Sequence, residues 1–561
     1  MPQFQDDKST KAMQEFREKE AEQLAQILSN RYGIPYVDLG LILINSAVVK
    51  LIPESLAREA RALVFQLEGH TARVAVLTPN NERLAAVTAE LERQGYSVEL
   101  YLTSEFALER AWEIYHEVSY AKAAVAGVMA VSDDTMQKYV TEIKSINDVR
   151  QYIDAAFESG DAHANSTVVE ILMGGAIATG VSDVHLEPEK ERVRFRYRLD
   201  GVLRDIAEVS LPNYRKVLGR LKLLSGVKLN VTKEAQDGRF TIKIQGVDVE
   251  VRVSILPSAY AEAVVMRILN PKSISVPMEE LGMDEHLYAI MEEMIHKPNG
   301  LILTTGPTGS GKTTTLYAIL KKLRSPDIKI ITIEDPIEYH LEGISQTQVD
   351  HEKGYDFHSG LRAAVRQDPD VIMVGEIRDN ETASVAIDSA LTGHLVFSTL
   401  HTNNAAGTIP RLIDIGVNPK IIGSALNIAL AQRLVRKLCK NCMEEYVPEG
   451  EEREFLDRIL PSILKLRPEL VVPATICRGR GCEKCTMTGY KGRISIYEGI
   501  RMDAAVEEVI KDGNPSEREI KEAAEPQGIL DMRQDGVVKV LKKITSIEEI
   551  AGAVGLTDAR G

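Results

Sequence analysis

The residues best equipped for chemistry lie between Gly306 and Thr313. Gly306-Pro307-Thr308-Gly309-Ser310-Gly311-Lys312-Thr313 satisfies the template G-x-x-x-x-G-K-[ST] at every fixed position. Glycines at this spacing let backbone N–H groups close around phosphate oxygens, and a helix beginning at Lys312 adds positive potential at the same point. In such a loop Lys312 would reach the β- and γ-phosphates of a bound nucleotide, Thr313 would complete a Mg²⁺ shell, and Thr314 follows in the first helical turn. A Gly-rich turn without a ligand is the alternative. Against it stand the apolar run Leu301-Ile302-Leu303 leading in and Leu316, Ile319, Leu320 and Leu323 on the helix leading out.

Two acidic positions accompany this loop. Ile330-Ile331-Thr332-Ile333 ends in Glu334-Asp335-Pro336, and Asp370-Val371-Ile372-Met373-Val374 ends in Gly375-Glu376-Ile377-Arg378-Asp379. Each reads as a buried strand delivering a carboxylate at its C-terminal end, where open α/β sheets bind ligands. Glu376 either holds the Mg²⁺ shell or orients the attacking water. His394 and His401 bracket a third strand and are candidates to report the γ-phosphate to neighbouring elements, although a lone histidine is more often a structural hydrogen-bonder.

The cysteines suggest metal. All five fall between Cys439 and Cys485, and Cys439-Lys440-Asn441-Cys442 with Cys482-Glu483-Lys484-Cys485 makes two C-x2-C knuckles. Two such knuckles complete a closed, structural Cys₄ site for Zn²⁺. Cys477 is left over, because a C-x4-C spacing makes the poorer knuckle.

These groups must be positioned by a chain of 561 residues, long enough for three or four domains. With 67 Lys+Arg against 82 Asp+Glu the formal charge is −15, which opposes nucleic acid as the main partner. No apolar run approaches a membrane span, and the start Met1-Pro2-Gln3-Phe4 does not read as a signal peptide, so a cytosolic chain is expected. Phe16 to Leu28 is amphipathic, and Ala72 to Leu77 reads as a strand ending in the turn Thr78-Pro79-Asn80-Asn81. The expected division is an α/β unit at 1–116, a linker or helical connector at 117–166 marked by the breakers Ser159-Gly160-Asp161 and Asn165-Ser166, and a strand-rich unit at 167–272. A P-loop unit at 273–561 carries the zinc insertion 439–485 and a helical tail. In the strand-rich unit Val193, Phe195 and Tyr197 alternate with three arginines, and Val249, Val251, Val253 and Ile255 alternate with Glu250, Arg252 and Ser254, the period of half-buried strands.

Gly306 to Thr313, Thr332 to Tyr339, Asp370 to Asp379, and Thr392-Gly393-His394 through His401-Thr402-Asn403 resemble the Walker A, Asp box, atypical Walker B and His box of the secretion ATPases of the GspE and PilB group. The resemblance extends upstream to Ser182–Pro188, Arg196–Gly201, Gln236–Arg239 and Arg252-Val253-Ser254. It implies an α/β multidomain protein: a RecA-like P-loop ATPase core joined flexibly to a PAS-like N2 domain, with an α/β N1 domain, assembled as a homohexamer. It also implies residue roles. Arg252 and Arg267 close over the nucleotide from N2, Arg378 and Arg411 match further arginines of the ATPase domain, Glu376 activates water, and Glu334 supports the metal and the water.

The implied activity is ATP hydrolysis with Mg²⁺, powering type IV pilus assembly or type II secretion through a polytopic inner-membrane platform protein, with PilB-like extension ATPases the nearest match. The location is then the inner face of the cytoplasmic membrane, reached through partners, with no nucleic acid. The tetracysteine element favours assembly or export over retraction. Tyr32-Gly33-Ile34-Pro35-Tyr36-Val37-Asp38-Leu39 and Leu51-Ile52-Pro53 resemble the group's N1 domain, which is expected to dock on a platform or cytoplasmic ring or scaffold partner. The Arg-Leu-Gly motif through which some members bind cyclic di-GMP is absent, which leaves binding of that ligand open. Two rival readings are a DNA-translocating or DNA-uptake ring ATPase, which the net charge opposes, and a non-catalytic nucleotide-gated assembly factor, which intact Lys312, Glu334 and Glu376 oppose.

Overall fold

The structure, a computed structural model, describes residues 21–112, 133–159, 164–271 and 276–555, apart from positions 40, 41, 43, 45, 50, 69, 245, 512 and 514. The boundaries expected at 116/117 and 272/273, the breaker Gly160-Asp161 and the first part of the helix at Phe16–Leu28 lie outside these residues. No helix among the described residues is long and apolar enough to cross a membrane.

In the N-terminal unit β1 (Ala62–Glu68) pairs antiparallel with β2 (Thr71–Val76). The helix Leu84–Arg93 then carries the chain over to β3 (Ser97–Leu102), parallel to β2. This helix buries Leu84, Val87 and Leu91 on one face, against a core that includes Leu63, Val74, Val76 and Leu102. The single Trp, Trp112, closes that core and donates its ring N–H to Ala62 O at 3.2 Å.

Within the stretch expected to be a linker or helical connector, the described residues 133–159 and 164–166 are largely helical and packed. Asp133–Glu142 and Ile146–Glu158 both lie against the helix Ala164–Thr179, and Asn165-Ser166 belongs to that helix instead of breaking the chain. Two glycines permit the approach: a Cβ at Gly174 would lie 2.7 Å from Tyr139 Cβ, and one at Gly175 2.6 Å from a Val149 methyl. Burial of Val149 and Ile153 ties this segment to its neighbour despite the breakers that flank it.

Next come β4 (Asp183–Pro188), β5 (Val193–Leu199), β6 (Val202–Val209), β7 (Gln236–Ile244), β8 (Val247–Leu256) and β9 (Ala263–Leu269). Pairing runs β6-β5-β4-β9-β8, antiparallel throughout. Val193, Phe195 and Tyr197 point into the core, while Arg194, Arg196 and Arg198 pair on the other face with Glu189, Asp205 and Asp183. Register sets Arg252 of β8 opposite Arg267 of β9, and Arg267 opposite Asp183 of β4.

The largest sheet is built from β10 (Gly300–Thr305), β11 (Ile330–Glu334), β12 (Ser345–Gln348), β13 (Val371–Val374), β14 (Leu395–Leu400), β15 (Leu426–Leu438) and, after a small insertion, β18 (Tyr490–Arg501). Its order is β12-β11-β13-β14-β10-β15-β18, parallel except for the last pair. The central strands β10, β11, β13 and β14 are buried at every residue, as expected for a parallel sheet covered on both faces. The insertion pairs β16 (Met443–Tyr446) with β17 (Ile476–Gly479) around the helix Gly450–Leu466. The C-terminal helices are not a loose tail. Met532–Leu541 and Ile547–Val554 bury Val537, Val540 and Ile550, and Glu549 forms an ion pair with Arg436 of β15.

Candidate nucleotide site and four-cysteine cluster

The loop Gly306–Gly311 leaves β10 and enters the helix Lys312–Leu323, with Gly306, Gly309 and Gly311 all at positive φ. Side chains resist that conformation, and at Gly306 there is also no room: a Cβ would lie 2.6 Å from Gln432 O. Pro307, Thr308 and Gly309 are exposed, Ser310 is buried, and Thr313 and Thr314 are half-buried in the first turn. Lys312 Nζ donates to Gly306 O at 2.8 Å and Pro307 O at 3.3 Å, folding back over its own loop. Burial lowers the Lys312 pKa from its ordinary value, and the nearby Glu376 carboxylate works against that shift.

Glu376 is the centre of the charged group. Arg378 lies 2.5 Å from one of its oxygens and His401 3.3 Å from the other. The loop bearing it is pinned by Gly375 N–H donating to Ile333 O at 2.8 Å, by Ile377 N–H donating to Thr399 O at 3.0 Å, and by the Thr399 hydroxyl donating to Gly375 O at 2.8 Å. His401 is brought beside the phosphate loop by Thr305, which accepts from Thr402 N–H at 2.8 Å and lies 2.7 Å from the Thr402 hydroxyl.

His394 does not join this group. β10 and β14 are parallel, with Gly300 opposite Leu395 and Thr305 opposite Leu400. His394 therefore sits at the opposite, N-terminal end of these strands, at roughly 3.3 Å per residue about 20 Å from the loop that follows Thr305. Its Nδ1 lies 3.1 Å from Ser389 O, a local structural contact.

Glu334, also expected at the metal, is buried and engaged on both oxygens. One oxygen takes the Tyr317 hydroxyl, and the other takes Thr332 Oγ1 at 2.5 Å and Gln346 Nε2 at 3.0 Å. Its neighbour Asp335 faces His351 at 3.4 Å. Tyr317 stands on the P-loop helix, so Glu334 braces that helix, and the carboxylate coupled to Lys312 is Glu376.

Of the arginines, Arg252 donates to Ile337 O at 2.6 Å and lies 3.4 Å from Glu338, thereby meeting the segment after β11. Arg267 beside it donates to Asp183 at 3.0 Å with its side chain largely exposed. Arg411 is exposed on the helix Thr408–Asp414.

Two further residues support the loop and its helix: Gln432 donates from Nε2 to Ser310 O at 2.7 Å, and the Tyr497 hydroxyl lies 3.1 Å from Thr315 Oγ1. Spacing does not reveal them. The only sequence signal is a polar residue, Gln432, closing the apolar run Ile428-Ala429-Leu430-Ala431.

Cys439, Cys442, Cys482 and Cys485 form a second centre. Sγ···Sγ separations are 3.9 Å for Cys439–Cys482, 3.7 Å for Cys442–Cys485 and 3.6 Å for Cys482–Cys485. A Zn–S bond of about 2.3 Å gives a tetrahedral edge of roughly 3.8 Å, so this donor set fits Zn²⁺. Burial pushes the Cys485 thiol up, but the N–H groups of Cys482 and Gly489 together with the Cys482 and Cys442 side chains bring it down to about 6. The knuckles meet closely because Gly479 and Gly489 touch backbone to backbone; a Cβ at Gly479 would lie 2.4 Å from Gly489 O. Cys477 is buried between Leu438 and Tyr490, a core residue and not a ligand.

The family model described as "Type II/IV secretion system protein" matches residues 158–552, and the MshEN domain model matches residues 32–117. The chain is 34% identical over 534 residues, 95% of its length and 91% of the relative's, to "Type IV pilus assembly ATPase PilB" of Myxococcus xanthus. It is 37% identical over 500 residues, 89% of its length and 96% of the relative's, to "Type II secretion system protein E" of Dickeya dadantii. Among solved structures, the Yersinia pseudotuberculosis ATPase DotB matches at 20% identity with a TM-score of 0.51, covering 71% of this chain and 94% of that one, which is a likeness of fold.

Proposed function

The chain belongs to the type II/IV secretion system protein family, and from that membership we propose that it is an ATP-hydrolysing hexameric motor that drives type IV pilus extension or type II secretion through a polytopic inner-membrane platform protein. The observation that carries the reading is the convergence of Lys312, Glu376, Arg378 and His401 at the C-terminal ends of β10, β13 and β14. These strands are parallel neighbours, so one end of the sheet presents a phosphate loop, a carboxylate and two cationic or titratable side chains.

Within this reading the backbone N–H groups of the loop bind the phosphates, and Lys312 exchanges its contacts with Gly306 O and Pro307 O for the β- and γ-phosphates. Thr313 would hold Mg²⁺, which would neutralise developing charge when bound. Glu376 orients or activates the attacking water, and His401 fixes the carboxylate's orientation. Glu334 supports this site from behind, through Tyr317 on the P-loop helix. Arg252 and Arg267, adjacent on the sheet domain, sense the phosphates as that domain closes, with Arg378 and Arg411 contributing from the ATPase core. Zn²⁺ at the four cysteines ties the insertion down. The N-terminal unit docks on a platform or cytoplasmic-ring partner, which brings the ring to the inner face of the membrane.

The test is turnover against binding. Glu376→Gln should bind MgATP and fail to hydrolyse it, and hydrolysis at the wild-type rate would remove Glu376 from the mechanism.

A further inference from the structure

Beneath the phosphate loop lies a pair of residues outside the nucleotide-binding motif. Gln432 of β15 and Tyr497 of β18 are direct partners in the antiparallel register, and both are buried. We propose that this pair acts as a positioning device that holds the phosphate loop and its helix in the nucleotide-accepting form; the proposal rests on the reading of Gly306–Thr313 as an ATP site.

Gln432 acts on the loop. Its Nε2 donates to Ser310 O at 2.7 Å. In a trans peptide the carbonyl and the following N–H point opposite ways, so drawing Ser310 O toward β15 turns Gly311 N–H away from it. That N–H belongs to the set that wraps phosphate in loops of this kind. The loop also rests on Gln432 by shape: a Cβ at Gly311 would lie 3.0 Å from its Nε2, and one at Gly306 2.6 Å from its backbone oxygen.

Tyr497 acts on the helix. Its hydroxyl lies 3.1 Å from Thr315 Oγ1, three residues after Lys312. Its own N–H donates to Asp535 at 2.7 Å, and Asp535 accepts from Lys539 at 2.5 and 2.6 Å. The C-terminal helix Met532–Leu541 thus fixes Tyr497 from the far side, and Tyr497 fixes the first turn after the lysine.

Cost separates positioning from ordinary packing. Gln432 Oε1 and Ser310 Oγ are buried with no hydrogen-bond partner in the described structure. An apolar side chain at 432 would avoid the first of these penalties, so stability alone does not account for glutamine there.

The test uses the full chain with MgATP. Gln432→Met keeps length and loses the donor, and Tyr497→Phe loses only the hydroxyl. For Gln432→Met, KM and the dissociation constant for MgATP are expected to rise about tenfold, or ~1.4 kcal/mol, with kcat within about twofold. For Tyr497→Phe the expected rise is about threefold. The nucleotide-free melting temperature of Gln432→Met should stay within about 2 °C of wild type, because the orphaned Gln432 Oε1 disappears as the bond to Ser310 O is lost; Tyr497→Phe loses one hydroxyl contact in a large chain and should also stay within about 2 °C. Unchanged KM in both variants, or a KM rise matched by a large drop in melting temperature, overturns the proposal. Should Gln432→Met fail to fold, Tyr497→Phe alone decides. Wild type and Lys312→Ala run alongside. If wild type does not bind MgATP, the ATP-site reading fails and takes this inference with it; if wild type binds, Lys312→Ala does not, and Gln432→Met binds like wild type, only the inference fails.

Discussion

Arg252 of the sheet domain lies 3.4 Å from Glu338 of the ATPase core, and its second terminal nitrogen donates to the adjacent Ile337 O at 2.6 Å. An arginine assigned to sense nucleotide is therefore docked on the segment that follows β11. In the proposed cycle this contact has to open or slide before Arg252 reaches a phosphate.

Glu338 yields a pH prediction. Burial raises its pKa, and Arg252 and Arg267 oppose that without cancelling it. A carboxyl whose folded-state pKa lies above its unfolded value binds its proton more tightly when folded. Its ionisation then costs stability, by an amount that is absent below the ordinary Glu value of about 4.3 and grows as pH rises above it. Glu338→Gln should melt higher than wild type at pH 8 and equally at pH 4. Thermal denaturation across that range checks it, and a difference independent of pH would contradict it.

Lys312→Ala should lose measurable MgATP binding by calorimetry. Glu376→Gln should retain binding while its single-turnover hydrolysis falls by about 100-fold or more, the usual scale for a group that handles the proton of the nucleophile.

The two histidines should separate. His401 contacts Glu376, so His401→Ala is expected to lower kcat by roughly tenfold or more. His394 sits at the opposite end of the strands, and His394→Ala should leave kcat within about twofold. Equal effects on steady-state kcat would show that distance across the sheet does not govern their roles.

The metal site predicts one zinc per chain by elemental analysis. Cys439→Ser should lose the ion and lower the melting temperature, whereas Cys477→Ser should keep it. Cys477→Ser should still destabilise by roughly 1–3 kcal/mol, because a hydroxyl replaces a buried thiol among Leu438 and Tyr490. Zinc loss in Cys477→Ser would make that residue a ligand.

Much of this site is legible along the chain because its parts are local. The P-loop, the two knuckles and the alternation in β5 and β8 are each set by conformations within about ten residues. The helices at 133–158 were harder to read: their polar faces resemble a connector, and only the face packed on Ala164–Thr179 shows their place. The helical C-terminus was visible as helices but not as part of the core, since burial of Val537, Val540 and Ile550 depends on long-range contacts.

Sequence alone determined which groups this protein can bring to chemistry: a P-loop spacing at Gly306–Thr313, acids after two buried strands, and four cysteines at knuckle spacing. Tertiary structure decided which of those groups meet. It set Glu376 beside Lys312 and wrapped Glu334 in Tyr317, Thr332 and Gln346; it placed His401 at the loop and His394 at the opposite end of the strands; and it brought Gln432 under the loop and Tyr497 under its helix. The physical reason is that residue type and spacing act through the backbone nearby, whereas contact between strands depends on sheet order and register, which the whole core fixes at once.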